Sequence, residues 1–292
     1  MRYFLYDKPA GVTSFDALRP FKKALNTGKV GHTGTLDKFA TGLMIILAGR
    51  ALKLARFFSG SDKSYQALVC LGAETDTLDP EGGIIARASP PSEAAFAAAL
   101  EQFRGTIAQV PPVYSAVHVN GVRAHIAARS GAVPELKSRA VCIYELALRS
   151  YTADSARGLA YASLDVRCSS GTYIRALARD IALAAASRAH LAALRRTSIG
   201  GFAIVDADAE AAASPRPVDR AACEKLGMFC ADIDERAARV LRHGGELASA
   251  GLPPLPRELP PTTQAAFFFD GNLTAILETK DGRRRYGFVA PA

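Results

Sequence analysis

The stretch Lys29–Gly42, which reads KVGHTGTLDKFATG, is the segment that most narrows the fold and function of this chain. It places glycines, small hydroxyl side chains and one histidine around a single carboxylate, Asp37. Glycine lets the backbone adopt turn conformations that other residues avoid, and it lets a ligand approach the chain closely. Loops held on a rigid scaffold commonly carry function. The pattern predicts a functional loop around Asp37, although the same residue types also form ordinary turns.

The composition is that of a basic globular protein. Of the 292 residues, 49% are hydrophobic and 22% are charged, and the net charge is +8 at pH 7. A positive balance favours a polyanionic partner, but on charge alone a soluble protein that happens to be basic is the better interpretation. The sequence contains no apolar run of about 18 residues, and the N-terminus lacks the apolar core of a signal peptide. We therefore expect a cytoplasmic protein that does not enter a membrane.

The cysteines do not form a recognisable framework. There are five, and none belongs to a C-x-x-C pair or to a Cys/His cluster with zinc-like spacing. This pattern predicts reduced thiols that are mostly buried, and neither a disulfide nor a metal site. The residues are Cys70, Cys142, Cys168, Cys223 and Cys230.

Hydrophobic periodicity predicts a mixture of strands and helices. Strands are expected at residues 3–6, 43–47, 65–71, 139–151 and 159–168. Helices are expected at residues 14–26, with Ser14 as cap and Pro20 as an interruption, and at 51–58, 92–104, 121–129 and 173–186, the last capped by Thr172. A linker at 214–217 then leads to a charged helix within 229–245, a hairpin over 267–279 and a strand at 286–289.

Several further motifs accompany the Asp37 loop. Asp7–Ser14 reads DKPAGVTS, residues 63–65 read KSY, and residues 71–79 read LGAETDTLD. Later segments read PPVYSAVHVNGVRAHIAAR at 111–129, SGTYIR at 170–175 and LRRT at 194–197. In this order, over about residues 3–205, the motifs resemble those of the TruB family of pseudouridine synthases.

The resemblance implies an α+β pseudouridine synthase fold, with a mostly antiparallel central sheet and flanking helices. Residues 1–225 would form the catalytic domain, in which about 111–135 grip RNA. Residues 226–292 would form a small β-rich domain of the PUA-like type, which position and β-rich pattern indicate without a diagnostic motif.

The resemblance also implies an isomerase that needs neither cofactor nor metal. Its substrate would be tRNA, and it would convert uridine 55 of the T-arm stem-loop to pseudouridine after flipping that base out of its stack. The type with a single chain works without an obligate protein partner, so we expect a cytoplasmic monomer.

Three residues take catalytic positions in the matching motifs. Asp37 corresponds to the carboxylate that acts at the sugar, as nucleophile or base. Desolvation in an RNA pocket would raise its pKa, and a nearby guanidinium would oppose the rise. Arg175 corresponds to the arginine that pairs with this aspartate. Tyr65 corresponds to a tyrosine that lies against the base, and its sequence context does not distinguish stacking from proton transfer.

Five further residues are expected to contact the substrate. His32 would assist base flipping, because histidine faces can stack on splayed RNA bases. Tyr173 would line the pocket, and Leu194 would form an apolar wall or belong to the core. Lys8 and Lys63 lie in or beside the motifs and would contact phosphates.

The sequence departs from the family pattern in the RNA-gripping segment. His118 stands in place of a lysine and His125 in place of a tyrosine, which leaves the RNA contacts of this segment open. Lys38 and Phe39 also replace the usual pair after Asp37.

Two rival functions remain open at the level of the sequence. A non-catalytic RNA-binding or folding factor would keep the basic surface but would not need Asp37 together with Arg175. A glycosidic hydrolase would usually need two carboxylates, whereas the motif supplies one.

Overall fold

A computed structural model describes residues 1–115, 118–119, 122–123, 136–260 and 263–290. Most of the predicted helix at 121–129 and most of the predicted RNA-gripping segment after residue 115 lie outside these residues, but residues 122–123 of that helix are described and are a strand. At 118–119 and 122–123 the backbone forms the two short strands β8 (His118–Val119) and β9 (Val122–Arg123). In the described ranges, no helix is long and apolar enough to cross a bilayer.

A ten-stranded sheet forms the body of the protein, in the order β14-β1-β3-β12-β4-β11-β10-β7, with β2 beside β3 and β13 beside β12. All neighbours are antiparallel except β3 and β12, which run parallel. The strands are β1 (Arg2–Lys8), β2 (Val30–His32), β3 (Thr41–Ala48), β4 (Lys63–Leu71), β7 (Gly105–Gln109), β10 (Arg139–Asp154), β11 (Leu159–Cys168), β12 (Ala189–Ile199), β13 (Phe202–Ala203) and β14 (Arg216–Pro217). A separate hairpin joins β5 (Ala73–Thr75) to β6 (Ile84–Arg87).

Hydrophobic patterning explains how the sheet and helices pack. In β11 every second residue is buried, because side chains on a strand alternate between its two faces. The buried face of the sheet packs against α3 (Glu93–Leu100) and α4 (Ile174–Ala184), whose residues Phe96, Leu177 and Ile181 belong to one core with the sheet. Two shorter helices, α1 (Arg19–Ala24) and α2 (Ala55–Ser59), lie earlier in the chain.

The C-terminal part forms its own four-stranded sheet, in the order β15-β16-β17-β18. Its strands are β15 (Phe229–Asp232), β16 (Ala265–Phe269), β17 (Asn272–Lys280) and β18 (Arg283–Val289), and its helices are α5 (Arg220–Lys225) and α6 (Glu235–Arg242). This sheet shares a hydrophobic core with the body, in which Phe268 and Phe288 lie with Tyr3 and Phe58. The domain boundary near residue 225 stays a prediction.

The expected α+β architecture is confirmed, with a mostly antiparallel central sheet and a β-rich C-terminal part. Three further local predictions are wrong, besides the helix at 121–129. Thr172 does not cap α4, because its hydroxyl donates to the carbonyl of Ser169 instead. Residues 216–217 pair with β1 as an edge strand, although the sequence indicated a linker there. The predicted helix at 14–26 is interrupted, and α1 begins only at Arg19.

Candidate active site

A cavity of about 530 Å³ opens where the Asp37 loop, the start of β4 and the start of α4 meet. Six of the eight predicted site residues line it: Asp37, Lys63, Tyr65, Tyr173, Arg175 and Leu194. They come from four separated motifs, and the fold brings them to one place. The other two, Lys8 and His32, lie outside the cavity wall.

Asp37 and Arg175 form a bidentate ion pair. The Nε of Arg175 lies 2.9 Å from Oδ2 of Asp37, and its Nη2 donates to Oδ1 at 3.1 Å. The Arg175 side chain is 6% exposed, whereas 34% of the Asp37 side chain remains exposed. A planar guanidinium matches a carboxylate in this geometry and fixes its orientation. The pair therefore presents a fixed carboxylate to whatever enters the cavity.

The remaining donors of Arg175 are also engaged. Nη1 donates to the carbonyl of Thr77 at 2.8 Å and to Oδ2 of Asp79 at 3.3 Å, and Nη2 also donates to the carbonyl of Tyr114 at 3.0 Å. Asp79 is buried and accepts from the amide of Glu81 as well. The turn after β5 thus fixes the position of Arg175, which could move away from Asp37 only by breaking several hydrogen bonds.

The environment of Asp37 changes its acidity. Burial raises the pKa of Asp37, Arg175 opposes the rise, and the negative charge of Asp79 adds to it. The net direction is upward, so the carboxylate is a stronger proton acceptor than a free aspartate. A carboxylate that is both oriented and more basic suits either attack on a sugar carbon or removal of a proton.

The DKPAGVTS motif supports the Asp37 loop from behind. The hydroxyl of Ser14 accepts from the amide of Leu36 and donates to its carbonyl, each at 2.8 Å. The amide of Gly11, at a φ of +79°, donates to the carbonyl of Lys38 at 2.8 Å. These bonds hold the residues on both sides of Asp37, so the motif positions the carboxylate without entering the cavity.

Lys8 belongs to the same support. Its side chain is fully buried, and its ammonium group donates to the carbonyls of Pro9 and Val12 at 2.7 Å and of Lys38 at 3.4 Å. Burial lowers the pKa of Lys8 to about 8. These contacts replace the predicted substrate contact of Lys8 with a structural role, because its donors already bind the backbone.

Arg196 lines the cavity, although the sequence did not single it out. It is almost wholly buried, and it donates to the carbonyls of Leu43 at 2.7 Å, Gly34 at 3.2 Å and Thr35 at 3.3 Å. In the described part of the chain it has no carboxylate partner. The LRRT motif thus holds the residues before Asp37 with a buried cation that lines the cavity.

Tyr65 lies in this positive environment. Burial raises the pKa of Tyr65, and the positive charge of Arg196 opposes that rise. The tyrosine packs against the main core and also forms part of the cavity wall. Its ring is available for stacking, and Arg196 would stabilise the phenolate if the hydroxyl gave up its proton.

Gln109 holds the other side of the cavity, and it too was missed. Its side chain is fully buried at the end of β7. Its Oε1 accepts from the amide of Tyr173 at 2.9 Å, and its Nε2 donates to the carbonyl of Tyr173 at 3.1 Å. The guanidinium of Arg139 lies over the Tyr173 ring at 5.1 Å. Together these contacts fix the residue before α4, two positions ahead of Arg175.

The remaining predicted residues occupy three different settings. Leu194 serves both as core and as cavity wall. Lys63 lines the cavity, but its ammonium group donates to the carbonyls of Ser59 and Ser61 at 2.6 Å, and burial lowers its pKa to about 8. His32 ends β2, and burial lowers its pKa. A contact between His32 and RNA outside the cavity stays a prediction.

The described ranges contain no group of three or more His, Cys, Asp or Glu side chains arranged to hold a metal ion. All five cysteines are free thiols.

Sequence signals could have found Gln109 and Arg196 only in part. Arg196 stands in the LRRT motif, whereas Gln109 lies two residues before the proline-led stretch and has no motif of its own.

Comparison with known proteins places this geometry in a family. The family model "TruB family pseudouridylate synthase (N terminal domain)" matches residues 22–174. The tRNA pseudouridine synthase B of Treponema denticola is 43% identical over 216 residues, which cover 69% of this chain and 60% of the relative. The protein of the same name from Bordetella avium is 44% identical over 204 residues, 68% of this chain and 81% of the relative.

The fold also matches a distant solved structure. An H/ACA RNP bound to a substrate RNA containing 2'-deoxyuridine contains a chain that superposes with a TM-score of 0.66 at 21% identity, over 95% of this chain and 77% of that one. Identity this low speaks for the fold alone. The matched family model covers more than half of the chain and includes the Asp37 loop and the first residues of the Arg175 motif. This chain belongs to the TruB family of pseudouridylate synthases.

Proposed function

We propose that this protein converts a uridine within RNA to pseudouridine, with Asp37 as the catalytic carboxylate. The observation that carries the proposal is the Asp37–Arg175 ion pair at the 530 Å³ cavity. The carboxylate of Asp37 has a fixed orientation, is partly exposed and has a raised pKa, while Arg175 is buried behind it. A merely structural ion pair would not need an open cavity in front of its acid.

The reaction must balance as an isomerisation. The bond between N1 of uracil and C1′ of ribose breaks, the freed base turns, and C5 bonds to the same C1′. The hydrogen on C5 then leaves as a proton, and N1 gains one, so no oxidant or reductant is consumed. Asp37 acts at the sugar as nucleophile or as base, and Arg175 holds its carboxylate in place during both bond changes.

The cavity walls supply the remaining functions. Tyr65 and Leu194 offer an aromatic and an apolar surface to a flipped base, which compensates for the stacking lost in the RNA, a cost of a few kcal/mol. Tyr65 is also the residue that we assign to remove the C5 proton, since Arg196 beside it stabilises the phenolate. Tyr173 closes the cavity beside Arg175.

We further propose that the substrate is tRNA and that the target is uridine 55 of the T-arm. The curated relatives bear the name tRNA pseudouridine synthase B, and this chain spans 60% of the length of the Treponema denticola relative. The net charge of +8 suits a polyanionic substrate. We propose a cytoplasmic protein that acts as a monomer, without an obligate protein partner.

Tritium release from a tRNA transcript labelled at C5 of its uridines tests the proposal. C5 loses its hydrogen only when the base is rejoined through that carbon. We expect release by the wild type, none by Asp37→Asn, and none from a transcript in which uridine 55 is replaced by cytidine. The Asp37→Asn protein should still bind the transcript, which separates a chemical defect from a binding defect.

The two rivals give different results in the same assay. A hydrolase would release free uracil and leave an abasic site, which chromatography of the products detects. An RNA-binding or folding factor would bind the transcript but release neither tritium nor uracil. Release that persists from the cytidine-55 transcript would keep the enzyme and move its target to another uridine.

A further inference from the structure

A second cavity, of about 580 Å³, lies at the junction of the body and the C-terminal sheet. It opens where the start of β1, the end of β3, the segment before α5 and the turn between β16 and β17 come together. Three arginines from separate elements line it: Arg2, Arg50 and Arg242. None of them belongs to a motif discussed above.

The positive charge of this cavity is not neutralised. Within the described ranges, none of the three arginines forms a salt bridge with a carboxylate. Asp219 is the acidic residue on the wall, and its Oδ1 accepts from the amide of Ala222 as the cap of α5. The lining side chains therefore carry three positive charges against one negative charge that is already hydrogen-bonded. Guanidinium groups without a carboxylate partner are well placed to bind anions, above all phosphate.

The three arginines are held on a rigid frame. Arg2 lies in β1 between two strands, opposite Ala48 on one side and Pro217 on the other. Arg50 follows Gly49, whose amide donates to the carbonyl of Lys29 at 2.7 Å. Arg242 ends α6, and its guanidinium stacks on the ring of Phe269 at 5.6 Å. Their relative positions are thus fixed before any ligand binds.

The distance between the Asp37 cavity and the arginine cavity sets the minimum size of a ligand that could contact both. β3 starts at Thr41, four residues after Asp37, and ends at Ala48, beside the arginine cavity. Seven residue steps along a strand span about 23 Å. A ligand that touches both places must therefore extend well beyond the nucleotide that enters the Asp37 cavity.

We propose that the cavity of Arg2, Arg50 and Arg242 binds the phosphodiester backbone of the substrate RNA outside the arm that carries the target uridine. The proposal rests on the proposed function, because it assumes an RNA substrate that occupies the Asp37 cavity. All three arginines are exposed, so the cavity suits a chain of phosphates that passes over it. A small anion enclosed by protein would need more buried donors.

Binding of two RNAs by the triple variant R2Q/R50Q/R242Q tests the proposal. The RNAs are a full-length tRNA transcript and the isolated T-arm hairpin, and fluorescence anisotropy at several salt concentrations gives the affinities. Each lost phosphate contact reduces the slope of log affinity against log salt by about 0.7 to 0.9. We expect affinity for full-length tRNA to fall about tenfold or more, with a slope less steep by roughly 2 to 3. Affinity for the hairpin should not change.

A matched variant controls for net charge. R104Q/R149Q/R157Q also removes three exposed arginines, but near the opposite edge of the large sheet, at β7 and β10. It should bind both RNAs with affinities near those of the wild type. Equal weakening by the two triple variants would overturn the proposal, and so would equal weakening of both RNAs or no weakening of either by R2Q/R50Q/R242Q.

Tritium release, measured in parallel, separates this proposal from the proposed function. At saturating tRNA the triple variant should release tritium at the wild-type rate, because none of its residues lines the Asp37 cavity. If the wild type released no tritium but the variant lost tRNA affinity as expected, the function would fail and the RNA site would stand. If the wild type released tritium and the variant bound tRNA unchanged, only the RNA site would fail.

Discussion

Ser14 clamps Leu36 from two sides, since one hydroxyl accepts from the Leu36 amide and donates to the Leu36 carbonyl. Leu36 directly precedes Asp37, so these two bonds help to orient the Asp37 carboxylate. In Ser14→Ala the buried amide and the buried carbonyl of Leu36 both lose their hydrogen-bond partner. The free energy of unfolding should therefore fall by about 1–3 kcal/mol. We expect turnover to fall by up to about 10²-fold through misplacement of Asp37, while tRNA affinity is retained.

Ser92→Ala is the matched control for this prediction. Its hydroxyl also accepts from a backbone amide, that of Ala95 at 3.2 Å, but it caps α3 and does not line the cavity. Loss of that cap should cost about 0.5–2 kcal/mol in urea unfolding and leave single-turnover tritium release unchanged. If both variants lost activity in proportion to their stability, the positioning role of Ser14 would be refuted.

Gly42 is required by the contact of β3 with β12. It has a φ of +114°, and a Cβ atom at this position would lie 2.3 Å from the carbonyl oxygen of Arg196. Gly42→Ala should therefore lower the unfolding free energy by roughly 3 kcal/mol or more, through backbone strain and overlap together. Gly49→Ala, at a φ of +60° with open space around it, should cost only about 1–2 kcal/mol. Urea midpoints at unchanged slope measure both, and equal costs would contradict the steric argument.

The charge of Asp79 should be visible in the pH dependence of turnover. Under the proposed function Asp37 acts as a carboxylate, so activity should fall as the pH drops through its pKa, which is raised above the ordinary 3.8. Asp79 contributes to that rise, and it also shares Arg175 with Asp37. Asp79→Asn removes the like charge and should move the acid limb of kcat/KM to lower pH.

Glu81→Gln provides the comparison for this shift. Glu81 raises the pKa of Asp37 less than Asp79 does, and it is paired with Lys38 at 3.2 Å on the surface. Its removal should move the acid limb in the same direction by a smaller amount. An acid limb that stays in place, or moves to higher pH, in Asp79→Asn would show that another group controls it.

The sequence indicated the residues that line the cavity better than the residues that support them. Asp37, Tyr65 and Arg175 each stand in a motif with a specific residue type at a fixed spacing, and the structure brings them to one cavity. Lys8 was misread, because a sequence shows a charge but not the three carbonyls that the folded chain arranges around it. The strands were predicted well, because the alternation of apolar and polar residues is visible in the local sequence. The starts of the helices depended on tertiary contacts, such as that of Gln109 with Tyr173.

No pattern in the sequence predicted the arginine cavity. Arg2, Arg50 and Arg242 are separated by up to 240 residues, and each alone is an ordinary surface charge. Only the shared core between the body and the C-terminal sheet brings them to one wall. Long-range packing therefore creates a candidate binding surface that local patterns cannot indicate.

Gln109 should act on catalysis through Tyr173 and the start of α4. Gln109→Leu keeps the approximate volume but leaves the amide and carbonyl of Tyr173 without their present partners, at a cost of about 1–3 kcal/mol each where they stay buried. The first turn of α4 carries Arg175, so its loosening should lower kcat of tritium release by about 10-fold or more. Gln102→Leu, at an exposed glutamine in the turn before β7, should leave kcat unchanged. Affinity for tRNA should stay close to that of the wild type in both variants, because Gln109 is buried and Gln102 does not line the Asp37 cavity. A Gln109→Leu protein with wild-type kcat, or with weakened tRNA binding as its main defect, would show that the glutamine does not position the catalytic arginine.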